Sequence, residues 1–160
     1  MGNVGQDSNK EYRQFITFTA NGQEFAANIM AIREIRGWTD TTPLPHVPDY
    51  VRGVINLRGT VLPVVDLKAR LGLGITDASA KNVIIVVRTG PRTVGILVDA
   101  VSDIITLAAA DVQPPPDVMG TECTDMIGGI AVLDGRMVTM LEIERLTETL
   151  SNEIVLDHAA

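Results

Sequence analysis

Residues 50–67 read YVRGVINLRGTVLPVVDL, and the fold is decided by how this stretch is divided. Two apolar, β-branched runs, Val54-Ile55 and Val61-Leu62, flank Asn56-Leu57-Arg58-Gly59. Gly53 opens the stretch. Such alternation reads as strand, tight turn, strand. A tight turn calls for Gly, Asn or Asp, because those residues accept a positive φ. It does not call for an arginine, so the guanidinium of Arg58 at the tip of an apolar hairpin needs a separate reason.

Working outward, the same grammar recurs. FITFTANGQEFAANI carries Asn21-Gly22, a strong short-hairpin signal. VIIVVRTGPRTVGILV folds back at Gly90-Pro91, and AVLDGRMVTM at Asp134-Gly135. Four hairpins, at 21, 59, 91 and 134, therefore dominate the chain. No clean sequence repeat is visible, yet two hairpins fall in each half. Helical signals are short. Asn28 is placed to cap IMAIREI, and Asp66 to cap LKARL with Gly72 as the stop. EIERLTETL sets Ile143, Leu146 and Leu150 on one face, which predicts a C-terminal amphipathic helix. Pro63 within a strand pattern predicts an edge or a bulge. Pro114, Pro115 and Pro116 predict a stiff connection. The expected class is all-β with short helices, built of barrels rather than a parallel sheet. One domain is expected over 13–150, with flexible segments at 1–12 and 151–160.

Composition narrows the function. Apolar residues make up 46% of the 160 residues, but aromatics only 4%, so Val, Ile, Leu and Ala must build the core. The net charge of −7 argues against nucleic acid and against an anionic membrane surface, both of which select clustered Lys and Arg. A single cysteine, Cys123, rules out a disulfide within the chain and fits a reducing compartment. The longest apolar run, Val83 to Val87, is far short of the roughly 20 residues that span a bilayer. No signal peptide is read in the polar N-terminus, so a cytoplasmic protein is expected.

Residues with catalytic potential are scattered. His46 and His158 lack metal-ligand spacing, and Cys123 has no C-x-x-C companion. Asp99 and Asp103 suit turns and caps. Gly72-Leu73-Gly74 lacks the third glycine and preceding strand of a dinucleotide site. No enzyme, cofactor or metal site is expected. The two charges most tightly framed by apolar residues are Glu34, in AIREIRG, and Arg58, in INLRG.

Four blocks, IREIRG (32–37), YVRGVINLRGTVLPVVDL (50–67), VGILVDAVSD (94–103) and LDGRMVTMLEIERL (133–146), resemble the CheW family of bacterial chemotaxis coupling proteins. The resemblance runs in order from about Gln14 to Leu150. It implies two intertwined five-stranded β-barrels with an apolar interface. It also implies a non-catalytic adaptor that couples the cytoplasmic tips of methyl-accepting chemoreceptors to the histidine kinase CheA. The kinase's regulatory domain shares that fold and alternates with the adaptor in rings. The chain alone is then expected to be a monomer, lying at the inner face of the membrane through receptor arrays, with no insertion into the bilayer.

By the same resemblance, the receptor-binding candidates are Ile32, Glu34, Gly53, Asn56, Arg58, Gly95 and Val98, and the kinase-binding candidates are Glu34, Arg58 and Gly59. Glu34 and Arg58 are expected to pair at the rim of an apolar surface. Ile32 and Val98 would supply affinity there, and Gly53, Gly59 and Gly95 would permit close approach. A receptor helix would lie in a groove between the barrels. Two alternatives stand beside this. One is a CheW-like coupler of a paralogous chemosensory pathway, such as surface motility. The other, more distant, is an OB-like barrel binding single-stranded nucleic acid, which three Phe, two Tyr and one Trp support poorly.

Overall fold

The computed structural model describes residues 11–116 and 126–147. Cys123, His158 and the terminal segments expected to be flexible lie outside the described residues, apart from Glu11 and Tyr12. All four hairpins form. β1 (Tyr12–Ala20) pairs with β2 (Gln23–Asn28), and β4 (Val51–Leu57) with β5 (Thr60–Asp66). β6 (Val83–Thr89) pairs with β7 (Arg92–Val98), and β10 (Ile127–Leu133) with β11 (Arg136–Leu141). The remaining strands are β3 (Ile32–Gly37), β8 (Ala100–Ala108) and the short β9 (Val112–Gln113).

These strands make two sheets, of order β8-β1-β2-β11-β10-β9 and β3-β6-β7-β5-β4. The sequence-based expectation of five strands each meets six and five, the sixth being the two-residue β9. Each sheet draws strands from both halves of the chain, which is the physical content of the word intertwined. β1 and β2 join strands of the C-terminal half, and β6 and β7 join strands of the N-terminal half. Each inserted hairpin is held by one parallel pairing, β7 with β5 or β2 with β11, and one antiparallel pairing, β6 with β3 or β1 with β8.

Burial follows from that weave. Ile85, Val87, Val94, Ile96 and Val98 of one sheet and Ile16, Phe18, Phe25 and Leu141 of the other belong to one shared core. The opposite side chains of each sheet form smaller cores: Ile55, Leu62, Val64, Ile84, Val86 and Leu97 in one, Ala26, Leu107, Ala131, Val138 and Met140 in the other. Both faces of β6 are therefore dry, and VIIVV reads as a continuous apolar run for that reason.

A faint repeat becomes visible once the strands are placed. Gly53, Leu57, Gly59, Asp66 and Leu67 are matched 76 positions later by Gly129, Leu133, Gly135, Glu142 and Ile143. The backbone repeats with them. The Asp66 N–H donates to the Tyr50 carbonyl at 2.7 Å, and the Glu142 N–H to the Met126 carbonyl at 2.7 Å. Both hairpins carry a bulge at the glycine, Gly53 at φ +133° and Gly129 at φ +152°.

Asp66 caps α1 (Leu67–Arg70) as expected, with its side chain accepting from the Ala69 N–H, and Gly72 follows at φ +75°. Asn28 also caps, but only a single 3-10 turn, Ile29–Ala31. The helix expected to continue through IREI is instead β3, because its backbone finds a ladder partner in β6. Helix α2 covers 143–147, and the rest of the expected C-terminal helix lies outside the described residues. Pro63 sits where β5 pairs only with β4, since pairing with β7 begins at Val64. No helix among the described residues is long and apolar enough to cross a membrane.

Candidate functional site

The five-stranded sheet ends in β3 on one side and β4 on the other. Those two edges meet across the sheet's small core. The N–H and carbonyl of Thr42, just past β3, exchange 2.9 Å hydrogen bonds with Val54 of β4. The Arg52 guanidinium stacks 5.6 Å from the Trp38 ring centre. The third tie is the pair that the family resemblance implies: Arg58 Nη2 lies 2.5 Å from Glu34 Oε1.

The geometry at Arg58 answers the opening question. The turn is two residues long, since Leu57 pairs with Thr60. Arg58 (φ +52°) and Gly59 (φ +88°) both sit in the left-handed region, as a type I′ turn requires. For a residue with a Cβ that conformation costs roughly 1 kcal/mol. The Asn56 side chain helps to hold it, with Oδ1 accepting from the Gly59 N–H at 2.8 Å. The strained position sets the guanidinium at the tip, 72% exposed, with one arm on Glu34. Its other N–H groups have no partner among the described residues and face solvent or a visitor.

Glu34 is held between two cations. Arg58 takes one oxygen, and Arg36 Nη1 lies 3.6 Å from the other. The hydrogen bond from Arg58, and then the charges of Arg58 and Arg36, hold the Glu34 carboxyl below its ordinary 4.5 against the opposing pull of partial desolvation. Glu34 in turn raises Arg58. A bulge in β3 sets the arrangement. Ile32 pairs with Val87 and Glu34 with Val86, leaving Arg33 unpaired.

The other expected site residues divide. Asn56 and Gly59 lie at the same tip and are exposed. Gly53 is buried, and the room its missing Cβ leaves is taken by the chain itself: a Cβ there would stand 2.3 Å from the Thr42 carbonyl oxygen. Its glycine is explained by that crossing rather than by a visiting partner. Gly95 corrects the expectation more strongly. Its φ is ordinary, and the side chains of Ile84, Leu62 and Val64 cover it. Val98 is 1% exposed in the shared core, and Ile32 is partly buried against the same core. Gly95 and Val98 thus present no surface to a partner in this conformation. The reason is the weave: β7 lies between β6 and β5, a central position that the hairpin reading did not reveal. The sequence reading also missed Arg33 and Arg88, which share a hollow with Arg58, and exposed Val61 beside the turn. Arg33 was hidden because strand alternation puts it on the face opposite Glu34, and only the bulge overrides that.

Elsewhere, Asp99 accepts from the Asn21 N–H at 3.0 Å and so braces the β1–β2 turn, whereas Asp103, within β8, accepts from the adjacent Ile104 N–H at 2.7 Å and neither turns nor caps the chain. His46 is exposed, at φ +57°.

The comparisons with known proteins agree with this architecture. The family model described as the CheW-like domain matches residues 14–151. A chemotaxis protein CheW of Rhizobium meliloti is 47% identical over 144 residues, covering 90% of this chain and 93% of that protein. Protein FrzA of Myxococcus xanthus is 31% identical over 110 residues, 68% of each. A crystal structure of the scaffolding protein TtCheW from Thermoanaerobacter tengcongensis superposes with a TM-score of 0.75 at 30% identity, covering 83% of this chain and 86% of that one. The family-model match over 14–151 and the 47% identity across nine tenths of both chains lead to one conclusion: this chain belongs to the CheW-like domain family.

Proposed function

We propose that this chain is a non-catalytic chemotaxis adaptor that couples the cytoplasmic tips of chemoreceptors to the histidine kinase CheA. The observation that carries the reading is the 47% identity to a chemotaxis protein CheW across nine tenths of both chains. The rim at Glu34, Asn56, Arg58 and Gly59 is the proposed contact. Its chemistry suits protein recognition: a pre-positioned guanidinium with free N–H groups beside an apolar edge at Val61. The adaptor works in the cytoplasm beneath the receptors, as a monomer when alone and in rings with the kinase. It takes no nucleic acid and does not insert into the bilayer.

The test is a pull-down with a chemoreceptor cytoplasmic fragment and CheA together. A ternary complex that needs this chain is the expected result. Absence of binding to either partner would overturn the reading. The FrzA similarity favours a second reading within the same class, a coupler for a paralogous chemosensory pathway. Deleting the chain's gene separates the two: loss of swimming chemotaxis fits the first reading, and intact swimming with another output altered fits the second.

A further inference from the structure

The whole chain carries −7, yet the hollow between the β4–β5 and β6–β7 hairpins has the opposite sign. Arg33, Arg58 and Arg88 line it, with Glu34 as its single acid. Its floor is apolar, from Leu57, Leu62 and Val86, and the hydroxyl residues Thr60 and Thr93 stand at its wall. Arg33 and Glu34 are neighbours in one strand and would ordinarily face opposite ways. The β3 bulge at Arg33 brings both to the hollow. The Arg33 side chain has no hydrogen bond or ion pair among the described residues. Arg88 spends only its Nε, on the Gly90 carbonyl at 3.2 Å.

The fold itself does not ask for these cations. The six-stranded sheet supplies the comparison through its register. Ser102 is the bulge residue of β8, as Arg33 is of β3. Thr19 stands in β1 where Arg88 stands in β6, and Asp134 occupies the turn position of Arg58. None of the three is basic.

We propose that this hollow receives an acidic segment of a protein partner, with Arg33 and Arg88 reading its carboxylates beside Arg58. The proposal rests on the adaptor reading and adds the chemistry by which the rim selects its partner. Guanidinium forks match carboxylates in pairs, and the apolar floor strengthens each contact by keeping water from one side. A short acidic segment of a protein carries apolar side chains among its carboxylates and can cover the cations and the floor of Leu57, Leu62 and Val86 together. A phosphate polyanion or a layer of lipid headgroups offers that floor nothing apolar. An acidic protein segment is therefore the occupant that the lining favours.

The test is Arg33→Glu/Arg88→Glu, which leaves Glu34 and Arg58 in place. Affinity for the receptor cytoplasmic fragment or for the CheA regulatory domain should fall about tenfold or more at low salt, with a smaller deficit at high salt. Arg33→Lys/Arg88→Lys should recover part of the loss. Arg33→Gln/Arg88→Gln should fall between, and it carries the test alone if thermal unfolding shows the charge reversal to be misfolded. Unchanged affinity for both partners would overturn the proposal. So would binding to phosphatidylglycerol vesicles that depends on the two arginines while both protein affinities do not. If the wild-type chain binds neither protein, the adaptor reading fails, and the hollow is judged by titration with a Glu-Ala repeat peptide. Binding abolished by the charge reversal then supports the acidic-segment proposal, and absence of binding overturns it.

Discussion

The hairpins β4–β5 and β10–β11 are built to one plan and differ at their tips. Both carry a bulge at a glycine, a two-residue type I′ turn and a leucine before it. At the first turn position one has Arg58 at φ +52° and the other Asp134 at φ +50°. The Asn21-Gly22 turn, with Asn21 at φ +55°, agrees with Asp134. Asn and Asp are the residues that the left-handed region tolerates best. Arg58 is the exception, and it is also the one of the three that holds a charged partner across a sheet edge. Glu34 too has a counterpart by register, Asp103, directly after the bulge in β8. Two acids, Asp103 and Asp134, therefore stand where the first half has Glu34 and Arg58. The second half folds without such a pair, so the pair is not a requirement of the architecture. That difference is the strongest internal argument that the Arg58 tip was shaped for contact.

The shared part of the plan is where the largest effects are expected. A Cβ on Gly53 would meet the Thr42 carbonyl oxygen at 2.3 Å, and one on Gly129 the Gln113 carbonyl oxygen at 2.5 Å. Both obstacles are backbone, and both glycines have a positive φ that a side chain resists. Gly53→Ala and Gly129→Ala should each destabilise the fold by about 3 kcal/mol, read by urea unfolding. The structural comparison breaks if either variant unfolds at the wild-type midpoint. It also follows that Gly53 is a poor probe of binding, because its loss disturbs the edge strand first.

The legibility of the sequence follows the same division. Hairpins are local, and their turn residues announced all four of them, together with the Asp66 cap. Glu34 and Arg58 were legible as charges among apolar neighbours. What escaped was non-local. The parallel joints β5–β7 and β11–β2 leave no turn signal, so the central place of β7 was unseen. Gly95 and Val98 enter the expected contact through the resemblance alone, and the central place of β7 buries both. The repeat is faint in the sequence because only three residues between 50 and 67, Gly53, Leu57 and Gly59, recur unchanged 76 positions later. The bulge that turns Arg33 toward Glu34 has no residue signature of its own.

The tips should separate binding from folding. Arg58→Asn puts at the turn a residue better suited to its φ and removes the cation. Its thermal midpoint should equal or exceed that of the wild type, while affinity for receptor fragment or kinase falls about tenfold or more. Asp134→Asn should leave both quantities unchanged. A variant Arg58→Asn that binds both partners normally would remove the tip from the contact surface. An equal binding loss in Asp134→Asn would erase the contrast between the halves.

The smallest expected effect concerns acid. The Arg58 hydrogen bond, the largest cause, and the two neighbouring charges hold Glu34 below its ordinary 4.5, so the carboxylate is favoured in the folded chain. A carboxyl with a lowered folded pKa stabilises at pH values above its unfolded pKa, and that contribution disappears as the pH falls through the lower folded value. Contact that depends on the pair should accordingly be level from about pH 8 to about pH 5, since Glu34 stays charged throughout, and weaken only below the usual glutamate range. Carbon-detected NMR of the Glu34 side chain gives the direct reading. The wild-type midpoint should lie below 4.5 and move upward in Arg58→Ala, which removes the leading cause while Arg36 remains. A wild-type midpoint at or above 4.5, or one indifferent to Arg58, would mean that the pair does not hold in solution. The edges of the five-stranded sheet would then lack the tie that sets them apart from those of the six-stranded sheet.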